Sequence, residues 1–220
     1  MTKPKKRRAP GRPKDDGQRD ARQALIDAAR KLLLHTPPSK LAIASIAQEA
    51  HVAPSLVRYY FGSKEGLISA AAASWIDELQ ALGGEALEGT GTLSERLAGR
   101  MAPLIAQTRN EPMFTQIVMD RLYASPDTEV DPLAAQAVAR GLRLTLSLLH
   151  GDPGEPLRPL DPRFVHVMLI GLCSFFGSSE PMIRQLFGPD ADMKALTRQY
   201  IELTTDVLLN GLRPRPGEAL

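Results

Sequence analysis

A single cysteine, Cys173, stands in the 220 residues. No intrachain disulfide can form, and a zinc site built from cysteines is excluded with it. Histidine is nearly as scarce. His35, His51, His150 and His166 are scattered, and the GxSxG, GxxxxGK[ST] and HExxH signatures are absent. An enzyme is therefore not expected, nor a metal or cofactor. No apolar run reaches the ~18 residues needed to span a bilayer. The longest, 164–176, is interrupted by His166, Gly171 and Ser174. No apolar segment follows the charged N-terminus as a secretory signal requires. No stretch alternates apolar and polar residues at the strand period. An all-α chain is expected, soluble and cytoplasmic, without a membrane partner.

What is present is unevenly distributed. Hydrophobic residues make up 43% and charged residues 24%, an ordinary globular balance. The net charge of +2 hides an asymmetry: residues 1–22 hold nine Lys or Arg against Asp15, Asp16 and Asp20, so this tail carries +6 and the remainder −4. A basic arm on a mildly acidic body points to a polyanionic partner. Residues 1–18 contain Pro4, Pro10, Gly11, Pro13 and Gly17 and almost no apolar side chains, so disorder is expected there in the unbound chain.

From Arg19 a helix is predicted, with Leu25, Ala28, Ala29, Leu32 and Leu33 on one stripe, ending before Pro37-Pro38. Lys40–Glu49 and Pro54–Phe61 are two short helices around Ala50-His51-Val52. Pro54 suits the first turn of the second, where a missing N–H is harmless. A tight turn between helices wants a residue tolerant of positive φ, and His51 occupies that place. Ser63 is read as an N-cap with Gly66 three residues on, opening a helix over Lys64–Leu82. Gly83-Gly84 and Gly89-Thr90-Gly91 are read as breaks. Helices are expected over Ser94–Arg109, Glu111–Tyr123, Pro132–Leu149, Asp161–Ser178 and Met193–Leu212. The fourth of these is apolar nearly all round and is expected to be buried on most sides.

Two short helices around a tight turn form a helix-turn-helix, whose second helix enters the DNA major groove. Val52, Leu56 or Val57, and Phe61 face inward. Ser55, Arg58 and Tyr59 face outward, and their donors suit base edges and phosphates. Lys64, at a helix start, suits phosphate.

Ile46-Ala47-Gln48-Glu49-Ala50, Val52 and Leu56-Val57-Arg58-Tyr59-Tyr60-Phe61-Gly62-Ser63-Lys64-Glu65-Gly66-Leu67 resemble the DNA-binding domain of the tetracycline-repressor (TetR) family. The likeness is strong over residues 21–70. It departs at His51, where Gly is usual, at Arg58, where Tyr is common, and at Tyr60, where a His usually touches phosphate. The resemblance implies a helix-turn-helix domain at 19–67 and a helical ligand-binding and dimerisation domain at 68–220. By it, Pro54, Ser55 and Leu56 open the recognition helix, Arg58 and Tyr59 contact bases or backbone, Tyr60 and Lys64 contact backbone, and Val57 and Phe61 are core. Double-stranded DNA is the implied partner. In the arm, Gly11-Arg12-Pro13 resembles an AT-hook, which would lie in a minor groove with Arg12 inserted. A solvated tail adding only charge is the alternative.

The resemblance further implies a homodimer built on residues 161–178 and 193–211, with Phe164, Leu172, Phe175, Phe176, Leu196, Leu203 and Val207 at the interface. The apolar character of the first segment supports this independently, against the alternative of an ordinary core helix. Pocket candidates for an unknown small-molecule effector are Trp75, Met101, Met113, Phe114, Met119, Arg121, Tyr123 and His166, since Met and aromatics make adaptable walls. Each could equally be plain core, and Arg121 could pair with Asp120 or Glu111. The expected function is a ligand-responsive regulator, a repressor released from a near-palindromic operator. A constitutive architectural DNA binder is the alternative.

Overall fold

The computed structural model describes residues 15–85, 91–122, 131–150 and 156–214. Among these it holds ten α-helices, a 3₁₀ turn at Pro38–Lys40 and no strand. The helices are α1 (Asp15–Leu33), α2 (Ile43–Glu49), α3 (Ser55–Phe61), α4 (Lys64–Glu85), α5 (Leu93–Asn110), α6 (Pro112–Leu122), α7 (Pro132–His150), α8 (Pro162–Ser178), α9 (Glu180–Phe187) and α10 (Met193–Leu212). Arg12 and Tyr123 lie outside the described residues, as does most of the arm.

Local chemistry sets the boundaries. Thr92 caps α5 in a reciprocal box: its Oγ1 accepts from Glu95 N (3.3 Å), while Glu95 Oε2 accepts from Thr92 N (2.8 Å). Asp161 caps α8 by accepting from Arg163 N, and Asp192 caps α10 by accepting from Lys194 N and Ala195 N. Those bonds favour the ionised carboxyls, and both Asp161 and Asp192 titrate below the usual range, the first chiefly through the Arg163 side chain.

Three expectations need correction. Gly83 and Gly84 do not break the chain; both lie within α4. Gly83 is buried because α5 passes there: a Cβ would stand 3.1 Å from Arg100 Nη1 and 3.2 Å from Leu144 Cδ1. Second, the sequence reading placed no element between Ser178 and Met193, where α9 stands. It follows α8 at a bend of 71°. Third, α8 is not covered on most sides by its own chain. Val165, Leu169, Cys173 and Gly177 are buried, but Phe164, Val167, Met168 and Phe175 are exposed. Gly177 is where α8 meets α5: a Cβ there would lie 2.8 Å from Thr108 Cβ and 2.9 Å from the Ile105 carbonyl oxygen.

The buried apolar side chains form two clusters. One joins Leu25, Ala29 and Leu33 of α1, Ile46 of α2, Val57 of α3 and Leu67–Ile76 of α4 to Phe114, Ile117 and Leu133 of α6 and α7. The other joins α5, α7, α8 and α10 through Leu97, Met101, Ile105, Leu148, Leu169, Cys173 and Leu208. The core around the short N-terminal helices thus continues through α4 into α6 and α7. Among the described residues, no single helix is long and apolar enough to cross a membrane.

Candidate nucleic-acid interface and inner cavity

His51 has φ 54°, the only non-glycine with positive φ among the described residues. It ends α2 in a two-bond cap: His51 N donates to Gln48 O (3.1 Å) and Val52 N to Ala47 O (3.0 Å). The left-handed conformation strains a residue with a Cβ. His51→Gly is expected to raise unfolding stability by up to about 1 kcal/mol, read as a higher denaturation midpoint at unchanged slope. A lower midpoint would mean that the imidazole itself holds the turn.

The turn aims α3 outward. Val57 is fully buried, while Leu56, Tyr60 and Phe61 lie half-buried on the same cluster. Pro54, Ser55 and Arg58 are exposed, and Tyr59 is 68% exposed. Leu56 and Tyr60 therefore lean into the core more than a freely projecting contact would. Tyr60 packs edge-on between Tyr59 (4.9 Å) and Phe61 (6.2 Å), and the Arg22 guanidinium lies 5.2 Å from the Phe61 ring centre. α3 carries Arg58 and no acid. Behind it, Ser63 Oγ accepts from Gly66 N (3.0 Å), the anticipated cap of α4. Gly66 lets α4 start tight against α3: a Cβ would stand 2.1 Å from the Phe61 carbonyl oxygen. Lys64 is half-buried and donates from Nζ to Pro38 O (3.2 Å), which ties the start of α4 to the 3₁₀ turn and leaves two of its donors for other partners. Lys31 Nζ and Glu49 Oε1 (2.5 Å) tie α1 to α2. The result is a packed platform presenting Ser55, Arg58 and Tyr59 together, with a cation and two hydroxyls turned outward.

In the other half, α4, α5, α6, α7 and α8 border a half-open cavity of about 120 Å³. Six of its wall residues, Thr115, Met119, Val138, His166, Ile170 and Ser174, also line an outer groove of about 500 Å³ that reaches Val167, Gly171 and Phe175 on α8. Of the sequence candidates, Phe114, Met119 and His166 are in the inner wall. The other described candidates stand elsewhere. Trp75 is buried in the first cluster, edge-on to Phe114 at 5.3 Å. Met101 is fully buried in the second cluster, 3.9 Å from Thr205 Oγ1. Met113 is half-buried outside the wall. Arg121 pairs with Asp131 (3.0 Å) and donates to Ser69 (2.7 Å), so its partner is neither Asp120 nor Glu111.

The cation that does line the cavity is Arg100, which sequence reasoning missed. It is 2% exposed, and neither Nε nor Nη1 has a hydrogen-bond partner. Burial pushes its pKa down, but a guanidinium starts so high that it keeps its charge. A signal was available: Arg96 and Arg100 sit one turn apart within the stripe of Leu93, Leu97, Met101 and Leu104, where cations are out of place. Beside it, His166 Nδ1 lies 3.0 Å from Thr145 Oγ1, which in turn donates to Gly141 O (3.2 Å). That chain assigns the proton to Nδ1 and leaves Nε2 an acceptor. Burial, then the Arg100 charge, lowers the His166 pKa, so the ring is neutral at pH 7.

The bare apolar surface of this half lies on α8, α9 and α10, with Leu186 and Phe187 exposed on α9. Phe164 is 72%, Phe175 63% and Leu203 64% exposed, with Val207 beside them. Leu172, Phe176 and Leu196 are half-buried. Phe176 stacks on Tyr200 (3.9 Å, 10°), whose hydroxyl donates to Leu172 O (3.0 Å), so these join α8 to α10 within the chain.

The sequence profile described as "Bacterial regulatory proteins, tetR family" matches residues 25–71. The chain is 34% identical over 142 residues to the HTH-type transcriptional regulator BetI of Brucella melitensis, covering 64% of this chain and 68% of that one. The corresponding regulator of Brucella anthropi is 37% identical over 142 residues, at 64% and 70% coverage. Among solved structures, the transcriptional regulator FadR of Bacillus subtilis, in complex with stearoyl-CoA, aligns with TM-score 0.65 at 20% identity, over 83% of this chain and 97% of that one. A protein of unknown function from Rhodococcus sp. RHA1 aligns with TM-score 0.70 at 15% identity, over 88% and 96%. These structural likenesses concern the fold alone.

Proposed function

The chain belongs to the tetR family of DNA-binding transcriptional regulators, and from that premise we propose that it works as a homodimeric repressor whose hold on a near-palindromic operator is released by a small effector. The observation that carries this reading is the pairing of an exposed α3 face with a largely apolar cavity that holds one buried cation, the two bridged by α4 and α6. α3 would enter the major groove, with Ser55, Arg58 and Tyr59 as primary contacts. Pro54, Leu56, Tyr60 and Lys64 would frame it against the backbone, and the arm with Arg12 would add charge or reach the minor groove. Phe164, Phe175, Leu203 and Val207 would form the seam between copies, supported by Leu172, Phe176 and Leu196. The cavity weighs against a constitutive architectural binder, which has no use for a buried cation beside one.

Coupling runs through α4. Its first turn anchors α3, and Ile76, Leu79 and Gln80 line the cavity, roughly 20 Å further along at 1.5 Å per residue. Phe114 lines the cavity and packs on Trp75 in the cluster that holds Val57. An effector that favours one packing of α4 and α6 shifts the spacing of the two α3 helices only as far as its differential affinity allows.

Arg58→Ala tests the base-reading role, with operator and random DNA compared by fluorescence anisotropy. Loss of a bidentate base contact should narrow the preference by roughly 1–3 kcal/mol. An unchanged preference sinks the assignment. Removing residues 1–18 should weaken binding and flatten its salt dependence, and an unchanged slope would make the arm a passive tail.

A further inference from the structure

We propose that the effector is a small organic monoanion, a carboxylate on an apolar body, whose charge is taken by Arg100. The inference rests on the reading of this half as effector-binding and names the chemistry of that site. Arg100 is almost wholly buried, lines the cavity, and holds Nε and Nη1 without a partner. A buried guanidinium is ordinarily matched by a carboxylate or by several acceptors. Among the described residues, no Asp or Glu lines the cavity or the adjoining groove. The buried thiol of Cys173 supplies no countercharge, since burial pushes its pKa up to about 12. His166 is neutral, its Nδ1 engaged by Thr145. The glycines on facing helices hold the space open. A Cβ at Gly83 would meet Arg100 Nη1 at 3.1 Å, and one at Gly141 would meet His166 Cε1 at 2.8 Å and Arg100 Nη2 at 4.0 Å.

The rest of the wall decides the class. A guanidinium fork matches a carboxylate in two parallel bonds. Besides Arg100 and His166, the polar side chains of the wall are Gln80, Gln107, Thr108, Thr115 and Ser174, all uncharged. A single cation suits one negative charge; a doubly charged phosphate would leave an uncompensated charge among Leu104, Phe114 and Ile170. A cationic ligand would meet like charge and no acid. The inner cavity is small, about 120 Å³, so it holds the head, and the apolar outer groove along Val138, Ile170 and Val167 takes the body.

The test pairs acids with their neutral amides on the full-length protein: hexanoate against hexanamide, and phenylacetate against phenylacetamide. Binding is read by calorimetry and by shift in melting temperature. The acids are expected to bind with dissociation constants below about 10 mM and the amides at least about 10-fold more weakly. Arg100→Met should fold with a melting temperature no lower than the unmodified chain, because it relieves a buried unpaired charge, and lose about 10- to 150-fold in acid affinity. The acid–amide comparison on the unmodified chain decides the matter even if that variant does not fold. Equal binding of acid and amide, unchanged acid affinity in Arg100→Met, or no binding of either acid at about 10 mM overturns the proposal. An acid that binds through Arg100 yet leaves operator affinity unchanged removes the effector reading and leaves the anion site standing. A neutral or cationic compound that releases operator equally from both proteins does the reverse.

Discussion

Phe175→Asp is expected to turn the proposed dimer into a monomer and weaken operator binding by about 100- to 10,000-fold, the range that separates two linked half-site contacts from one. Phe175 is 63% exposed and shares the bare face of α8 with Phe164, Met168 and Gly171. Positions 164, 168, 171, 175 and 178 recur at spacings of four and three, as do 196, 199, 203, 207 and 210 on α10. That is the period of helices packing side by side. Gly171 has no atom near its would-be Cβ, so nothing in its own chain explains a residue that weakens the helix. A second copy approaching closely would. In a two-fold interface one substitution introduces two charges, each facing desolvation without a partner. Sedimentation velocity at micromolar concentration reads the first effect and operator titration the second. A Phe175→Asp protein that remains dimeric would move the interface elsewhere. One that becomes monomeric yet binds operator undiminished would end the two-half-site reading.

Trp75→Ala is expected to lower unfolding stability by about 3–5 kcal/mol, the usual cost of emptying a large aromatic site. Trp75 is 1% exposed, meets Phe114 edge-on at 5.3 Å and carries the Arg30 guanidinium 5.5 Å from its ring centre. It sits where α4 passes from the DNA-facing helices to α6, so the cavity left behind would loosen both. Operator affinity should therefore fall at temperatures where the protein is still folded, and Trp75→Phe should retain most of both properties. Because Trp75 is the only tryptophan, unfolding is followed by circular dichroism. A loss under about 1 kcal/mol would show that the site relaxes freely and that the two halves are not joined there.

The two readings differ in how far they could be made without the fold. Ala50-His51-Val52 between two short apolar-periodic stretches already implied a left-handed residue at His51, because α2 and α3 cannot turn so tightly otherwise. Ser63 was legible as a cap because a hydroxyl before a helix has one common use. The outward set of Ser55, Arg58 and Tyr59 followed from periodicity, since one turn of helix decides which neighbours share a face. The pocket was far less legible. Trp75, Met101 and Arg121 had the right chemistry, but which apolar or cationic side chain borders a cavity depends on neighbours distant in sequence. Arg121 found its acid at Asp131 and dropped out; Arg100 found none and took its place.

The sequence alone therefore determined the helical class, the DNA-facing turn and the outward side of α3. These depend on residues within a few positions of one another, where backbone geometry is the deciding constraint. Only the tertiary structure decided that Gly83 belongs inside a helix, that α8 leaves one apolar face uncovered by its own chain, and that Arg100 is buried without a counterion. Each of those is set by what packs against the residue from another helix, and burial and pairing are properties of the assembled neighbourhood.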